Sequence, residues 1–319
     1  MVGGFQVAKG EISPGNIAEF VIYVNMLTWP VTSIGWIASI IQQAEASQKR
    51  LNEFLEVEPL ITNTPTHTDV KGKITFDQVS FVYPDTGVKA LDQVSFTLEK
   101  GQKMAIVGKT GSGKTTIADL LVRMYDATEG KIRIDDKDIQ DYDLNVLRRS
   151  IGYVPQDNFL YSDSIASNIA FGVNDTKQED IEHFAKSAVV YDDIISMKDG
   201  FETLVGERGV TLSGGQKQRI TIARALIKKP EIVLLDDCLS AVDASTEQRI
   251  LAYLNKELKN KSTIIITHRI YSLMSFDKII VLEDGKITEM GKHEELLKNK
   301  GFYYEMYEKQ QLEEDSIKS

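Results

Sequence analysis

The sequence of 319 residues holds one cysteine, Cys238, which rules out an internal disulfide framework and a multi-cysteine metal site. Its four histidines are scattered, which argues against a His-based metal cluster. Cationic side chains are in deficit, with 37 Lys+Arg against 47 Asp+Glu and a formal charge of −10. That balance argues against a nucleic-acid binder working through a broad basic surface, and no nucleic-acid partner is expected. No internal repeat or low-complexity tract is present. The charged share of 26% and hydrophobic share of 42% are those of an ordinary folded protein rather than a disordered one. The length suits one or two domains.

Charge is missing altogether between Glu19 and Glu45. Residues 1–50 carry only Lys9, Lys49, Arg50, Glu11, Glu19 and Glu45, so they are net neutral and the remainder holds all of the −10. The 25 residues from Phe20 to Ala44 would form a helix of about 38 Å, longer than a hydrocarbon core of about 30 Å. Trp29 and Trp36, both tryptophans of the chain, lie inside it. This stretch reads as a membrane span. Lys49 and Arg50 at its end point to a cytoplasmic C-terminal side. A signal peptide fits poorly, because no basic segment precedes the apolar run and no small-residue cleavage site follows it. Asn25, Thr28, Thr32 and Ser33 would be costly against lipid, and the first three recur at helical spacing, which suggests one inward face in a bundle. Pro30 and Gly35 are expected to kink the helix. One span forms no transport path, so most membrane partners of such a helix would lie outside this sequence.

Residues 51–72 read as a linker, rich in threonine and proline from Glu56 to Gly72. The segments Lys73–Phe76, Gln78–Tyr83 and Gln93–Leu98 have strand patterning and suggest an antiparallel sheet. After Gly101 the pattern changes to strand–helix alternation, as in a largely parallel α/β core. The tail from Lys292 is charged and reads as helical, with an acidic end at 313–319.

Lys103–Val107 reads as a buried strand. Gly108-Lys109-Thr110-Gly111-Ser112-Gly113-Lys114-Thr115 follows it and fits G-x-x-x-x-G-K-[ST]. Glycines let a backbone wrap so that consecutive N–H groups converge on phosphate oxygens. Lys114 supplies a positive charge for the β- and γ-phosphates, and the Thr115 hydroxyl can ligate Mg²⁺. Ile117, Leu120, Leu121 and Met124 recur at i, i+3, i+4 and i+7, which predicts a helix on a sheet with its N-terminus toward the phosphates. Ile232–Asp236 is an apolar strand ending in a carboxylate that can hold Mg²⁺ opposite Thr115.

Leu212-Ser213-Gly214-Gly215-Gln216 opens a predicted helix running to about Ile227, with Ser213 lying 23 residues before Asp236. With the phosphate loop upstream, this segment resembles the signature motif of ABC (ATP-binding cassette) ATPases. The resemblance covers residues 70–300 and further implies roles, in order, for other positions. Tyr83 looks like the aromatic that stacks on adenine, and Gln156 like the Q-loop glutamine. Thr203–Gly209 is similar to a segment of ABC exporters, Ser240–Asp243 looks like the D-loop, and His268 like the switch histidine. Taken singly, Tyr83, Gln156 and His268 are ordinary residues; their order around the phosphate loop carries the reading. The resemblance implies an α/β fold: a P-loop NTPase core with an antiparallel β-subdomain and a helical signature subdomain, preceded by one transmembrane helix. Residues 1–50 resemble the last membrane helix of an exporter half and 73–312 its nucleotide-binding domain, so the sequence is expected to be a C-terminal fragment.

The implied chemistry is hydrolysis of ATP with Mg²⁺. Residues Gly108 to Thr116, Thr116 included, would hold the phosphates, and Thr115, Gln156 and Asp236 the metal. Gln156 and His268 would attend the water and the γ-phosphate. Ser213, Gly214, Gly215 and Gln216 would face the ATP of a second subunit, and Phe159, Leu160 and Tyr161 would help receive a coupling helix. The sequence departs from the family at one place: Asp237 stands where Glu is usual. Its carboxylate is withdrawn by about 1.5 Å, one carbon–carbon bond. Misplacing a catalytic group by about 1 Å can cost on the order of 10²-fold in rate. The expectation is therefore a site that binds ATP and hydrolyses it slowly, in one half of a heterodimeric exporter with an unknown substrate, in the cell membrane, its nucleotide-binding domain cytoplasmic. Two other readings are a soluble ABC-type ATPase not involved in transport and a nucleotide-sensing module with little hydrolysis. The first predicts a basic surface or a long insertion between Lys114 and Ser213, which are only 99 residues apart.

Overall fold

A computed structural model describes residues 2–59, 61–63, 69–206, 209, 211–238, 244–270 and 276–318. Ser240–Asp243, and Glu207 and Arg208 of the exporter-like segment, lie outside the described residues. The chain divides into two units, Met1–Leu60 and Ile61–Ser319.

The first unit is helical: α1 (Val2–Ala8) and α2 (Pro14–Leu55). Ser13 starts α2 with a capping box: its hydroxyl accepts from the Asn16 amide at 3.3 Å, and its own amide donates to Asn16 Oδ1 at 3.1 Å. Pro14 follows at the first helical position, where its missing N–H costs nothing. With 42 residues, α2 measures about 63 Å and is long and apolar enough to cross a membrane. It also runs through Leu55, into the segment expected to be linker, and Gln48 Nε2 donates to Asn52 Oδ1 there at 2.8 Å. The hydroxyls of the apolar stretch are bonded within the helix. Thr28 donates to the Val24 carbonyl at 3.0 Å, Thr32 to those of Thr28 and Trp29, both at 3.0 Å, and Ser33 to that of Pro30 at 2.8 Å. The helix's own carbonyls satisfy these hydroxyls, so they need no partner helix to remove their polarity cost. Pro30 sits inside α2 without ending it.

The second unit has two sheets. The antiparallel sheet is ordered β2-β1-β4-β5, from β1 (Ile74–Val82), β2 (Lys89–Leu98), β4 (Glu129–Ile134) and β5 (Lys137–Asp138). The segments read as two strands before and after residue 77 are one strand, β1, irregular at Gln78, where φ is 51° and the register shifts. β4 and β5 come from beyond the phosphate loop: β4 pairs non-locally with β1, and β5 folds back on β4 as a short hairpin.

The second sheet is ordered β10-β9-β3-β8-β7-β6, from β3 (Lys103–Val107), β6 (Ile151–Val154), β7 (Ile232–Asp236), β8 (Ser262–Ile266), β9 (Lys278–Glu283) and β10 (Lys286–Gly291). All neighbours are parallel except the β9–β10 pair. Alternation along each strand feeds two cores. Met104 and Ile106 join the core that also holds the β1–β2 apolar residues, whereas Ala105 and Val107 join the core that holds the later helices. Ile232 and Leu234 divide from Val233 and Leu235 in the same way. Truncating any of these buried Leu or Ile residues to Ala should cost about 2–5 kcal/mol.

The helices of this unit are α3 (Lys114–Leu121), α4 (Leu144–Ser150), α5 (Ile165–Ala170), α6 (Gln178–Ser187), α7 (Tyr191–Ser196), α8 (Gly214–Ile227), α9 (Ala244–Glu257), α10 (His293–Asn299) and α11 (Phe302–Lys318). α3 stops one turn earlier than its periodicity suggests. Ile117, Leu120 and Leu121 are buried, but Met124 lies past the end and is 55% exposed. Arg148 terminates the helix by donating to the carbonyls of Val122 at 3.1 Å and Arg123 at 2.7 Å. The start of the domain is fixed by Asp135, whose carboxylate accepts from the amides of Lys71, Gly72 and Lys73 at 2.5, 3.1 and 3.0 Å.

Candidate functional site

The loop Gly108–Gly113 bridges β3 and α3, and two of its glycines are demanded by space as well as by φ. At Gly108, with φ 154°, a Cβ would stand 2.1 Å from the Leu282 carbonyl oxygen; at Gly113, with φ 98°, it would stand 2.4 Å from that of Ala90. Neither position can accept a side chain without moving backbone. Gly113 is also the N-cap of α3 and offers no capping side chain, so no side chain competes for the first-turn amides of α3. Lys114 folds back over the loop, and its Nζ donates to the carbonyls of Gly108 at 2.9 Å and Lys109 at 2.7 Å. It is buried, and burial pulls its pKa down while Asp236 and Asp237 oppose the fall.

A cleft of about 470 Å³ opens beside this loop. It gathers Tyr83, Thr110, Gly111, Gly113–Thr116, Gln156, Asp236, Asp237 and His268, residues that come from five separate stretches of chain. Tyr83 is fixed by a hydrogen bond between its hydroxyl and Thr116 Oγ1 at 3.0 Å, and by edge contacts to Phe81 and Tyr125 at 4.9 and 5.6 Å between ring centroids. Burial raises its pKa, so the phenol stays neutral. Gln156 follows β6, exposed at the cleft.

Asp236 ends β7 at 1% exposure. Burial raises its pKa, Asp237 adds to that, and a hydrogen bond from Thr115 with the charges of Lys114 and His268 work against it. Its Oδ2 is buried without a hydrogen-bond partner. An orphaned carboxylate oxygen beside a threonine hydroxyl and a glutamine is a hard oxygen donor set, which is what a Mg²⁺ ion takes. The sites therefore fit that ion. Asp237 has φ 43° and its amide donates to the Ile266 carbonyl at 2.9 Å, so the residue expected as the catalytic base is a left-handed residue tied to β8.

Some expected residues point elsewhere. Ser112 is buried under the loop with an unpartnered hydroxyl. The Lys109 ammonium turns outward, 4.0 Å from Glu283 and 4.9 Å from the centre of the Phe302 ring. Ser213, Gly214, Gly215 and Gln216 are not in the cleft; they begin α8. Ser213 and Gln216 form a capping box, with the Gln216 amide donating to Ser213 Oγ at 3.2 Å and the Ser213 amide to Gln216 Oε1 at 3.0 Å. Asp193 on α7 grips the same helix end, accepting from Gln216 Nε2 at 3.2 Å and Arg219 Nη1 at 2.8 Å. Ser213 and Gly214 are exposed. Phe159 and Tyr161 lie at the surface beside Phe171, with Arg224 over the rings of Tyr161 and Phe171, whereas Leu160 is fully buried and belongs to the core.

The sequence reading passed over Asp119, which burial and Asp236 push up in pKa. It stands one helical turn after Thr115, so spacing could have found it. Asp193 and Arg219 carried no such signal, because their relation to the signature segment is tertiary.

Residues 91–240 match the ABC transporter domain. The chain is 45% identical over 312 residues to the probable multidrug resistance ABC transporter ATP-binding/permease protein YheI of Bacillus subtilis, covering 97% of this chain and 53% of that protein. It is 39% identical to the multidrug resistance-like ATP-binding protein MdlA of Escherichia coli, covering 98% of this chain and 53% of that one. The chain thus spans about half the length of the curated relatives it matches. Among solved structures, a bacterial Atm1-family ABC exporter with ATP bound superposes with a TM-score of 0.81 at 36% identity, over 94% of this chain and 53% of that one. With its P-loop core, antiparallel subdomain and helical subdomain in place, the chain belongs to the ABC transporter family.

Proposed function

We propose that this chain binds and hydrolyses ATP to drive export of a substrate across the cell membrane, as one subunit of an ABC exporter dimer. One observation carries this reading. A single cleft collects the phosphate loop, Tyr83, Gln156, Asp236, Asp237 and His268, while the signature residues open away from it at the surface. A helix end that takes no part in its own cleft is free to serve another subunit's.

In this reading Tyr83 stacks on the adenine, and the amides from Gly108 to Thr116 with Lys114 hold the phosphates. Thr115, Gln156 and Asp236 hold Mg²⁺, which when bound neutralises charge on the phosphate oxygens. Asp237 accepts the proton of the attacking water, Gln156 orients that water and His268 holds the γ-phosphate oxygens. Ser213, Gly214, Gly215 and Gln216, at the positive end of α8, donate toward the nucleotide of the second subunit. The short Asp237 side chain makes this the slower site, and the intact signature end makes the chain a good donor to a partner that carries Glu. A heterodimer is the assembly that uses both features. α2 places the subunit in the membrane with Lys49 and Arg50 on the cytoplasmic side.

The test is ATP turnover by the complete protein with its partner. Asp237→Glu should raise turnover several-fold. An unchanged rate removes the argument for a handicapped base, and absence of Mg²⁺-dependent ATP binding removes the whole reading.

A further inference from the structure

We infer that Gln310, on α11, is a positioning residue for His268. The proposal rests on the function just set out, in which His268 meets the γ-phosphate. His268 lies in the short stretch after β8, and its flanks are held differently. Upstream, the Thr267 amide donates to the Ile106 carbonyl of β3 at 3.2 Å, and Thr267 Oγ1 accepts from the Arg269 amide at 3.0 Å. Downstream, the side-chain amide of Gln310 takes over: its Nε2 donates to the His268 carbonyl and its Oε1 accepts from the Ile270 amide at 2.9 Å. Bonding the carbonyl of one residue and the amide of the second after it is what a parallel strand does to its neighbour. One glutamine therefore supplies a strand's worth of pairing around Arg269, whose guanidinium is in turn paired with Glu247 of α9.

The helix that carries Gln310 is itself anchored. Tyr303 is fully buried, its hydroxyl bonds His293 Nδ1 at 2.7 Å, and its amide donates to Glu289 Oε1 at 3.2 Å. Phe302 underlies the Lys109 ammonium at the flank of the phosphate loop. A second cleft, of about 470 Å³, is lined by Gly108–Thr110 and His268 on one side and by α11, Gln310 included, on the other. The helix thus contacts both walls that must grip the γ-phosphate, and the glutamine fixes the backbone from which the histidine projects. An amide is the one side-chain group that donates and accepts at once with this span, so Glu and Leu are informative replacements: Glu keeps the acceptor and sets a carboxylate against the His268 carbonyl, Leu removes both bonds.

The experiment measures ATP turnover, ATP affinity and amide hydrogen exchange in the complete protein carrying Gln310→Leu, Gln310→Glu, His268→Ala or Gln310→Leu with His268→Ala. Turnover should fall about tenfold in both single Gln310 variants, as a small displacement of a group in contact with the reacting phosphate predicts, with KM and ATP affinity unchanged. The loss should vanish when His268 is already alanine, because the glutamine acts only through it. Exchange across 262–270 should accelerate in Gln310→Leu while the strands elsewhere keep their protection. Equal losses with and without His268, unaltered turnover in the single variants, or unaltered exchange at 262–270 each overturn the proposal. If His268→Ala itself leaves turnover intact, the function assigned to His268 fails instead, and the exchange measurement still decides whether Gln310 holds the loop.

Discussion

Two helix N-termini in this protein are marked by glycines, and they are built in opposite ways. α3 begins at a glycine with no capping side chain, over a buried lysine that is bonded to loop carbonyls. α8 begins at a serine whose capping box closes on its own Gln216, held further by Asp193, and its first residues are exposed. An uncapped end inside a cleft leaves its amide donors to a ligand. A self-capped end is stable with nothing bound, so it can wait at the surface for a nucleotide held by another molecule. Under the proposed function, that difference would give one chain two half-sites: a receiving half that is incomplete without phosphate, and a donating half that is complete without it.

The largest effect that can break this contrast is at Lys114. Lys114→Ala should lower ATP affinity by about 100-fold or more in an equilibrium titration, since the buried ammonium is the main charge for the phosphates. Its depressed pKa marks a desolvated cation, so the same variant should melt no lower than the wild type without nucleotide. A fall in melting temperature with affinity intact would make Lys114 a structural residue. Next in size, Asp237→Glu should raise turnover several-fold while leaving ATP affinity unchanged.

Asp236 offers a smaller test through pH. Burial raises its pKa, so the folded state prefers the protonated carboxyl, and ionisation as pH climbs past the ordinary carboxylate range costs stability. Without Mg²⁺, Asp236→Asn should melt higher than the wild type at pH 7, because the amide does not ionise in the buried site. The advantage should disappear as pH drops below the unfolded carboxylate's value. A melting curve that falls for Asp236→Asn at neutral pH would contradict this account. The smallest effect belongs to the donating end. Ser213→Ala should cost about 1 kcal/mol of stability through the lost cap and leave ATP affinity of the phosphate loop unchanged, measured by melting and titration. If that substitution weakened ATP binding by the isolated subunit, the two ends would not be separate.

Local chemistry made much of this legible. Lys103–Val107, Ile232–Asp236 and the end of α8 at Ile227 stand where apolar runs and their punctuation put them, because strands buried on both faces leave no ambiguity of register within the run. The glycines of the phosphate loop were equally readable. The antiparallel sheet was only partly so: the break expected at residue 77 is an irregularity within one strand, with Gln78 in a left-handed conformation, and β4 joins by pairing with residues some fifty positions earlier. Met124 shows the same limit, since arginine from α4 ends α3 before the periodicity does. In the membrane-length helix, threonine and serine hydroxyls bond their own helix's carbonyls, a contact that residue spacing alone does not reveal.

Sequence alone determined the chemical parts: which residues can wrap, charge or ligate a phosphate, where a charge-free helix long enough for a bilayer lies, and that Asp237 is one methylene short. Those follow from residue type and short spacing, which act over one or two turns of chain. Only the tertiary structure decided how the parts are shared, with Tyr83, Gln156, Asp236 and His268 meeting in one cleft, the signature end turned away from it, and Gln310 reaching the His268 loop from 42 residues away. Such relations come from sheet order and helix docking, where each contact is chosen by the shape and unpaired polar groups of a distant surface and leaves no local mark in the sequence.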